Sequence, residues 1–131
     1  LFRNYSGTLY ASTSRDNGHN WSVPEITNYP DSTARIAAGN LPSGDAYIIN
    51  NASAIQFDRR QLVIGLSRDG LLFDRAFLVR SEPTSMRFEG KHKLDGWQYP
   101  HALTWKRYFY VAYTINKEDV GITRIPLRRL R

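Results

Sequence analysis

Apolar and polar residues alternate along this chain in short runs, and helical spacing is scarce. Few windows keep apolar residues at i, i+3, i+4 and i+7, whereas alternating or aromatic-rich runs of strand length recur. The pattern predicts strands at Gly7–Ser14, Trp21–Ile26, Ala34–Leu41, Ala46–Ala52, Gln61–Ser67, Ala76–Arg80, Ala102–Trp105, Tyr108–Asn116 and Val120–Pro126. Between them lie the turn clusters RDNGHN, LPSGD, SRDG, TWKR and NKED. Gly and Asx residues suit such turns because they tolerate a left-handed backbone or bond their own main chain. The predicted class is all-β and antiparallel.

Two of the turns are near copies. Ser14-Arg-Asp16-Asn-Gly18-His-Asn-Trp21 recurs 53 residues later as Ser67-Arg-Asp69-Gly70-Leu-Leu-Phe73, one residue shorter. In each, Ser and Asp side chains can cap backbone N–H groups, Gly can take a positive φ, and the closing aromatic is expected to fold back as an apolar plug. All eight named positions read as structural. A period of this size, with about four strands per unit, is the mark of β-propeller blades. Blade pieces are expected at about 1–30, 31–82 and 97–131, which is two to three four-stranded blades of a partial propeller. Too few for a closed ring, they imply a C-terminal portion that needs further blades to cover its sheet edges.

Composition narrows the partner. The net charge is +6, and 14 of the 18 basic residues are Arg, whose planar fork matches carboxylate and phosphate oxygens in pairs. An anionic partner follows, an acidic sugar or a nucleic acid. The arginines are spread over turns and strand ends rather than interleaved with aromatics on one face, which argues against nucleic acid. The C-terminal LRRLR reads as a solvated end. Without cysteine there is no disulfide, thiol chemistry or Cys-ligated zinc, and no HExxH-type metal pattern occurs, so no cofactor is expected. No apolar run has the length of a membrane span. The chain opens on Leu, as though cut from something longer, and composition leaves the compartment undecided.

The pattern S-x-D-x-G-x-x-W is the Asp box, and with it the chain resembles the sialidase (neuraminidase) superfamily of BNR/Asp-box repeat proteins. The resemblance covers essentially the whole chain. LFRNYSGTLYASTSRDNGHNWS resembles a family segment in which an Arg precedes an Asp box. FDRRQLVIGLSRDGLLF resembles the next such unit, and GWQYPHALTWKRYFYVAYTINKEDVGITRIPL the closing segment that carries a Tyr. The resemblance implies a six-bladed propeller, a secreted or periplasmic setting, and an exo-glycosidase that releases a terminal sialic acid.

In such an enzyme three arginines bind the sugar carboxylate, a Tyr activated by a Glu is the nucleophile, and an Asp gives and takes the proton. Carried over by position, Arg3 resembles the second arginine, Arg59 the third, and Tyr99 the nucleophile. The first Arg, the Asp and the Glu would lie upstream of Leu1, so the chain alone is expected to be inactive. Period-2 alternation lets only one of Arg59 and Arg60 face the site, and spacing to Leu62 favours Arg59. Tyr99 sits in QYPH, where the family more often has a small residue before the Tyr and Ser after it. His101 is a candidate pocket residue or a polar strand end. Trp97 and Trp105 are assigned to core packing. Arg87, Lys91, His92 and Lys93 form a basic linker, read as a solvated loop or, alternatively, as a loop at the channel mouth that helps select an acidic sugar or chain, and Glu118 reads as part of a turn. The alternative function is a non-catalytic Asp-box propeller that binds acidic glycans.

Overall fold

Strand β5 (Leu62–Ser67) reads LVIGLS, and all of its residues are buried. A strand apolar on both faces needs cover on both sides, and its neighbours supply it. The computed structural model describes all residues from Leu1 to Arg131 and contains three antiparallel sheets. The first pairs β1 (Thr8–Ala11) with β2 (Glu25–Pro30). The middle sheet runs β3 (Ala37–Asn40), β4 (Ala46–Asn50), β5 and β6 (Phe73–Arg80) in chain order. The third runs β7 (Trp97–Trp105), β8 (Tyr108–Ile115) and β9 (Asp119–Pro126), followed by a 3-10 turn at Leu127–Arg129. No helix is long and apolar enough to cross a membrane.

Alternation along the central strands sorts side chains into two seams. On one side Leu62, Ile64 and Leu66 join Ile49, Trp97, Phe109, Val111 and Tyr113 between the middle and third sheets. On the other, Ile48 and Phe73 meet Leu9 and Tyr29 of the first sheet. Gly65 makes that second seam close. A Cβ at this position would lie 2.5 Å from a Tyr29 ring carbon, so the ring occupies the place of the missing side chain. Tyr29 also packs on Phe73 at 4.7 Å between centroids. Asn28 completes the join by donating to the Phe73 carbonyl and accepting its N–H, both at 2.8 Å.

The two copied turns fold alike. In the first, Ser14 donates to Asp16 and accepts the Gly18 N–H, while Asp16 accepts the Asn20 N–H. In the second, Ser67 donates to Asp69 and accepts the Gly70 N–H, while Asp69 accepts from Leu71 and Leu72. These bonds hold Asp16 at a pKa of about 2, led by the Asn20 N–H. Gly18 and Gly70 both take a positive φ. The closing aromatics differ. Phe73 is buried under Tyr29, but Trp21 is 62% exposed, lying back over Gly18 and donating to its carbonyl at 3.0 Å. Trp21 is therefore not a plug here: no sheet of this chain packs outside β1–β2 to cover it.

Each expected strand exists, but four start three or more residues from the expected position, among them β3 at Ala37 rather than Ala34. β2 begins at Glu25 rather than Trp21, because Pro24 lacks the N–H a ladder needs. β6 begins at Phe73, immediately after the copied turn. β7 begins at Trp97 rather than Ala102, absorbing Pro100 in an irregularity that leaves Tyr99 and Pro100 facing Tyr113 alone. Trp97 is in the core as expected, whereas Trp105 is exposed on the outer face of β7. The LRRLR end is not simply solvated, since Leu130 is buried in the larger core cluster.

Gly65→Val places methyls where the Tyr29 ring lies, and overpacking of that kind costs about 1–3 kcal/mol. Chemical denaturation of the variant is expected to show a lower midpoint.

Candidate functional site

Tyr99 stands where β7 breaks its ladder. Its backbone takes φ 52, a left-handed value rarely adopted by an aromatic residue, and its side chain is 38% exposed. Such strain persists only where the surroundings over-determine it. Here Trp97 donates its N–H to the Arg59 carbonyl at 2.8 Å, and Gly96, at φ 119, lets the two backbones meet. A Cβ on Gly96 would lie 2.1 Å from the Arg59 oxygen. The residues just before β5 and the start of β7 are thus locked together.

That lock aims Arg59. Its guanidinium donates to the side-chain carbonyl of Gln98, which is 1% exposed and donates in turn to the Leu94 carbonyl. The guanidinium carbon lies 5.8 Å from the Tyr99 ring centroid. Arg60 points elsewhere, fully engaged with Asp58 through its Nε at 2.9 Å and Nη2 at 2.8 Å. Of the two adjacent arginines, Arg59 is the one beside Tyr99.

Two further cations complete the cluster. Arg35, just ahead of β3, lies 5.4 Å from the ring centroid, and the Lys117 ammonium lies 5.3 Å from it. Lys117 and Asn116 both have positive φ in the β8–β9 turn, closed by the Glu118 N–H to the Ile115 carbonyl. The Tyr99 phenol is held below the ordinary tyrosine pKa, first by hydrogen bonding with Lys117. Partial burial opposes this, and the charges of Lys117, Arg59 and Arg35 add to the lowering. An anion entering this corner meets three positive groups and a phenol.

Arg3 and His101 are not among the groups around the Tyr99 ring. Arg3 donates to the Thr33 carbonyl at 3.2 Å, and its charge acts on the buried Asp31. Burial raises the Asp31 pKa, while a bond from Asn50 and the charge of Arg3 work against it. His101 lines a pocket of about 320 Å³ on the open face of the third sheet, with Leu103, Trp105, Tyr110 and Ile122. Sequence reasoning missed Arg35, Gln98 and Lys117. For the first, the only marker is a backbone likeness that the sequence does not display. Thr33 and Tyr99 both have positive φ, two residues after an N–H given to the preceding loop, and Arg35 and His101 each follow by two. Lys117 stood in NKED, where only a turn was visible.

With this geometry in view, the comparisons with known proteins are informative. The family model described as a BNR repeat-like domain matches residues 1–111. A solved structure titled "Sialidase" is 33% identical with a TM-score of 0.71, over 90% of this chain and 11% of that one. The chain thus spans a small part of the protein it is similar to. No curated protein matches it.

Gln98→Leu removes the group that receives Arg59 and leaves the Leu94 carbonyl without its donor. Leaving buried partners unpaired costs about 1–3 kcal/mol, and equilibrium unfolding is expected to show a loss of that size.

Proposed function

The chain belongs to the BNR repeat-like domain family, and from that premise we propose that it is the C-terminal portion of a six-bladed sialidase-type propeller. The intact protein hydrolyses a terminal sialic acid, or a related acidic sugar, from glycoconjugates. The observation that carries this reading is the placement of Arg59 beside Tyr99 at a strained break in β7. A carboxylate nucleophile would be repelled by a sugar acid, whereas a phenol among cations suits one.

In the proposed reaction Arg59, with Arg3 and an upstream Arg, binds the sugar carboxylate by charge-assisted bonds. The Tyr99 oxygen attacks the anomeric carbon as the bond to the leaving oxygen breaks, and an upstream Asp protonates that oxygen. Water then displaces the sugar from Tyr99, giving up a proton to the same Asp. An upstream Glu acts as base toward the phenol. Arg3 donates to the carbonyl of Thr33, two residues before Arg35 of the cluster, and this contact supports its place in the proposed set. His101 stays outside the proposed contact set because it lies on the open face of the third sheet.

A second reading, a non-catalytic propeller that binds acidic glycans, is favoured by one observation. Gln98 and Pro100 flank Tyr99 where the family more often has a small residue and Ser. Turnover separates the two. In the full-length protein Tyr99→Phe is expected to abolish release of a fluorogenic sialoside while substrate binding stays measurable; unchanged turnover removes Tyr99 from the mechanism. Arg59→Ala is expected to raise KM for sialosides steeply, and an unaltered KM removes Arg59 from carboxylate binding.

The same reading accounts for apolar residues left open on both outer sheets, among them Trp21, Val23, Leu103, Trp105 and Ile122. The chain produced alone is expected to self-associate and to hydrolyse no sialoside. Sedimentation showing a stable monomer would contradict the propeller assignment.

A further inference from the structure

Lys117 is built into its position more firmly than a turn lysine requires. It sits at φ 58 next to Asn116 at φ 54, a pair of left-handed residues characteristic of a type I′ turn. Asn116 is buried and accepts the Gly96 N–H at 2.7 Å, tying the turn to the segment that locks Arg59. The ammonium donates to the His92 carbonyl at 2.6 Å and faces the Tyr99 side chain.

The next residue clamps the other side. The Glu118 side chain is 4% exposed and takes four donors from the β6–β7 connection: the N–H groups of Arg87 and Phe88, the Arg87 guanidinium and the Lys93 ammonium. Those bonds hold its pKa at about 2, led by Lys93, so it stays ionised throughout the neutral range. Arg87 also forks onto Asp119, with both bonds at 2.8 Å. The basic linker Arg87–Lys93, expected to be a solvated loop, is therefore pinned to the β8–β9 turn. Pinning it places the His92 carbonyl where Lys117 needs an acceptor.

We infer that Lys117 is a further residue of the Tyr99 site, stabilising the phenolate oxygen directly through its ammonium group, and that Glu118 positions it by fixing the linker. The charged groups that face Tyr99 from the elements packed around it are Lys117 from the β8–β9 turn, Arg59 from before β5 and Arg35 from before β3. None of them is a carboxylate, and the nearest acid on the turn, Glu118, is spent on Arg87 and Lys93. Deprotonation of Tyr99 to solvent replaces a neutral phenol beside three cations with an anion beside three cations, and the field of these groups favours that change. Lys117 thus raises the fraction of phenolate present at a given pH. The inference deepens the glycosidase reading and rests on it for the use of that phenolate, though not for its formation.

The test reads the phenolate at one residue. Nitration by tetranitromethane in the full-length protein is followed against pH, with the extent at Tyr99 measured by peptide mass spectrometry, since the reagent modifies phenolate. The wild-type midpoint is expected below that of the denatured protein. Lys117→Asn, a residue that tolerates the left-handed turn, is expected to move the midpoint up toward the ordinary value, and Lys117→Arg to restore it. Glu118→Gln is expected to move it in the same direction by a smaller amount with the fold intact by circular dichroism. A midpoint unchanged in folded Lys117→Asn overturns the inference, as does one that Lys117→Arg fails to restore. Sialoside turnover, measured in parallel on Tyr99→Phe, reports the glycosidase reading separately: a Lys117-dependent midpoint with turnover that ignores Tyr99 keeps the former and rejects the latter.

Discussion

Double-sided burial of β5 is the constraint on which the rest of this structure depends. A strand reading LVIGLS gains the full hydrophobic benefit of its side chains only if a sheet covers each face, at roughly 25 cal/mol per Å² of apolar surface removed from water. The first and third sheets provide that cover through Leu9 and Tyr29 on one side and Trp97, Phe109 and Tyr113 on the other. Glycine sets the closeness of approach. Gly65 admits the Tyr29 ring, and Gly96 admits the Arg59 carbonyl. Packing of sheets in succession therefore fixes where the segment before β5 meets the first residues of β7.

The site is a consequence of that meeting. Arg59 enters from before β5, Tyr99 from the break in β7, Arg35 from before β3 and Lys117 from the far turn of the third sheet. No local sequence window contains more than one of them. Holding several cations around a phenol works against their mutual repulsion, and hydrogen-bonding partners offset it. Gln98 receives Arg59, the His92 carbonyl receives Lys117, and Glu118 neutralises the neighbouring Arg87 and Lys93. Positive charge left unneutralised by carboxylates points at Tyr99, which is the arrangement an acidic sugar would find complementary.

Local chemistry was legible in the sequence where a single turn or strand determines it. The Ser14 and Ser67 turns could be read because their hydrogen bonds close within a few residues. The alternation through β8 and the continuous apolar run of β5 were legible for the same reason. What escaped depended on partners distant along the chain. The burial of Phe73 and the exposure of Trp21 differ although their turns match, because only Phe73 has Asn28 and Tyr29 of a neighbouring sheet above it. The start of β7 at Trp97 was missed, since only pairing with β8 reveals the bulge that accommodates Pro100. Spacing favoured Arg59 over Arg60, and Arg59 is the one that lies beside Tyr99, but Lys117 was invisible: nothing in NKED shows that the turn reaches Tyr99.

The central claim is that the corner formed by Arg59, Tyr99 and Lys117 receives a carboxylate-bearing sugar. A crystal structure of the full-length protein with an unsaturated sialic acid analogue tests it most directly. The expected density places the sugar carboxylate in hydrogen-bonding contact with Arg59, and the anomeric carbon facing the Tyr99 oxygen. An analogue bound elsewhere on the protein, with Arg59 and Tyr99 untouched, would contradict the account.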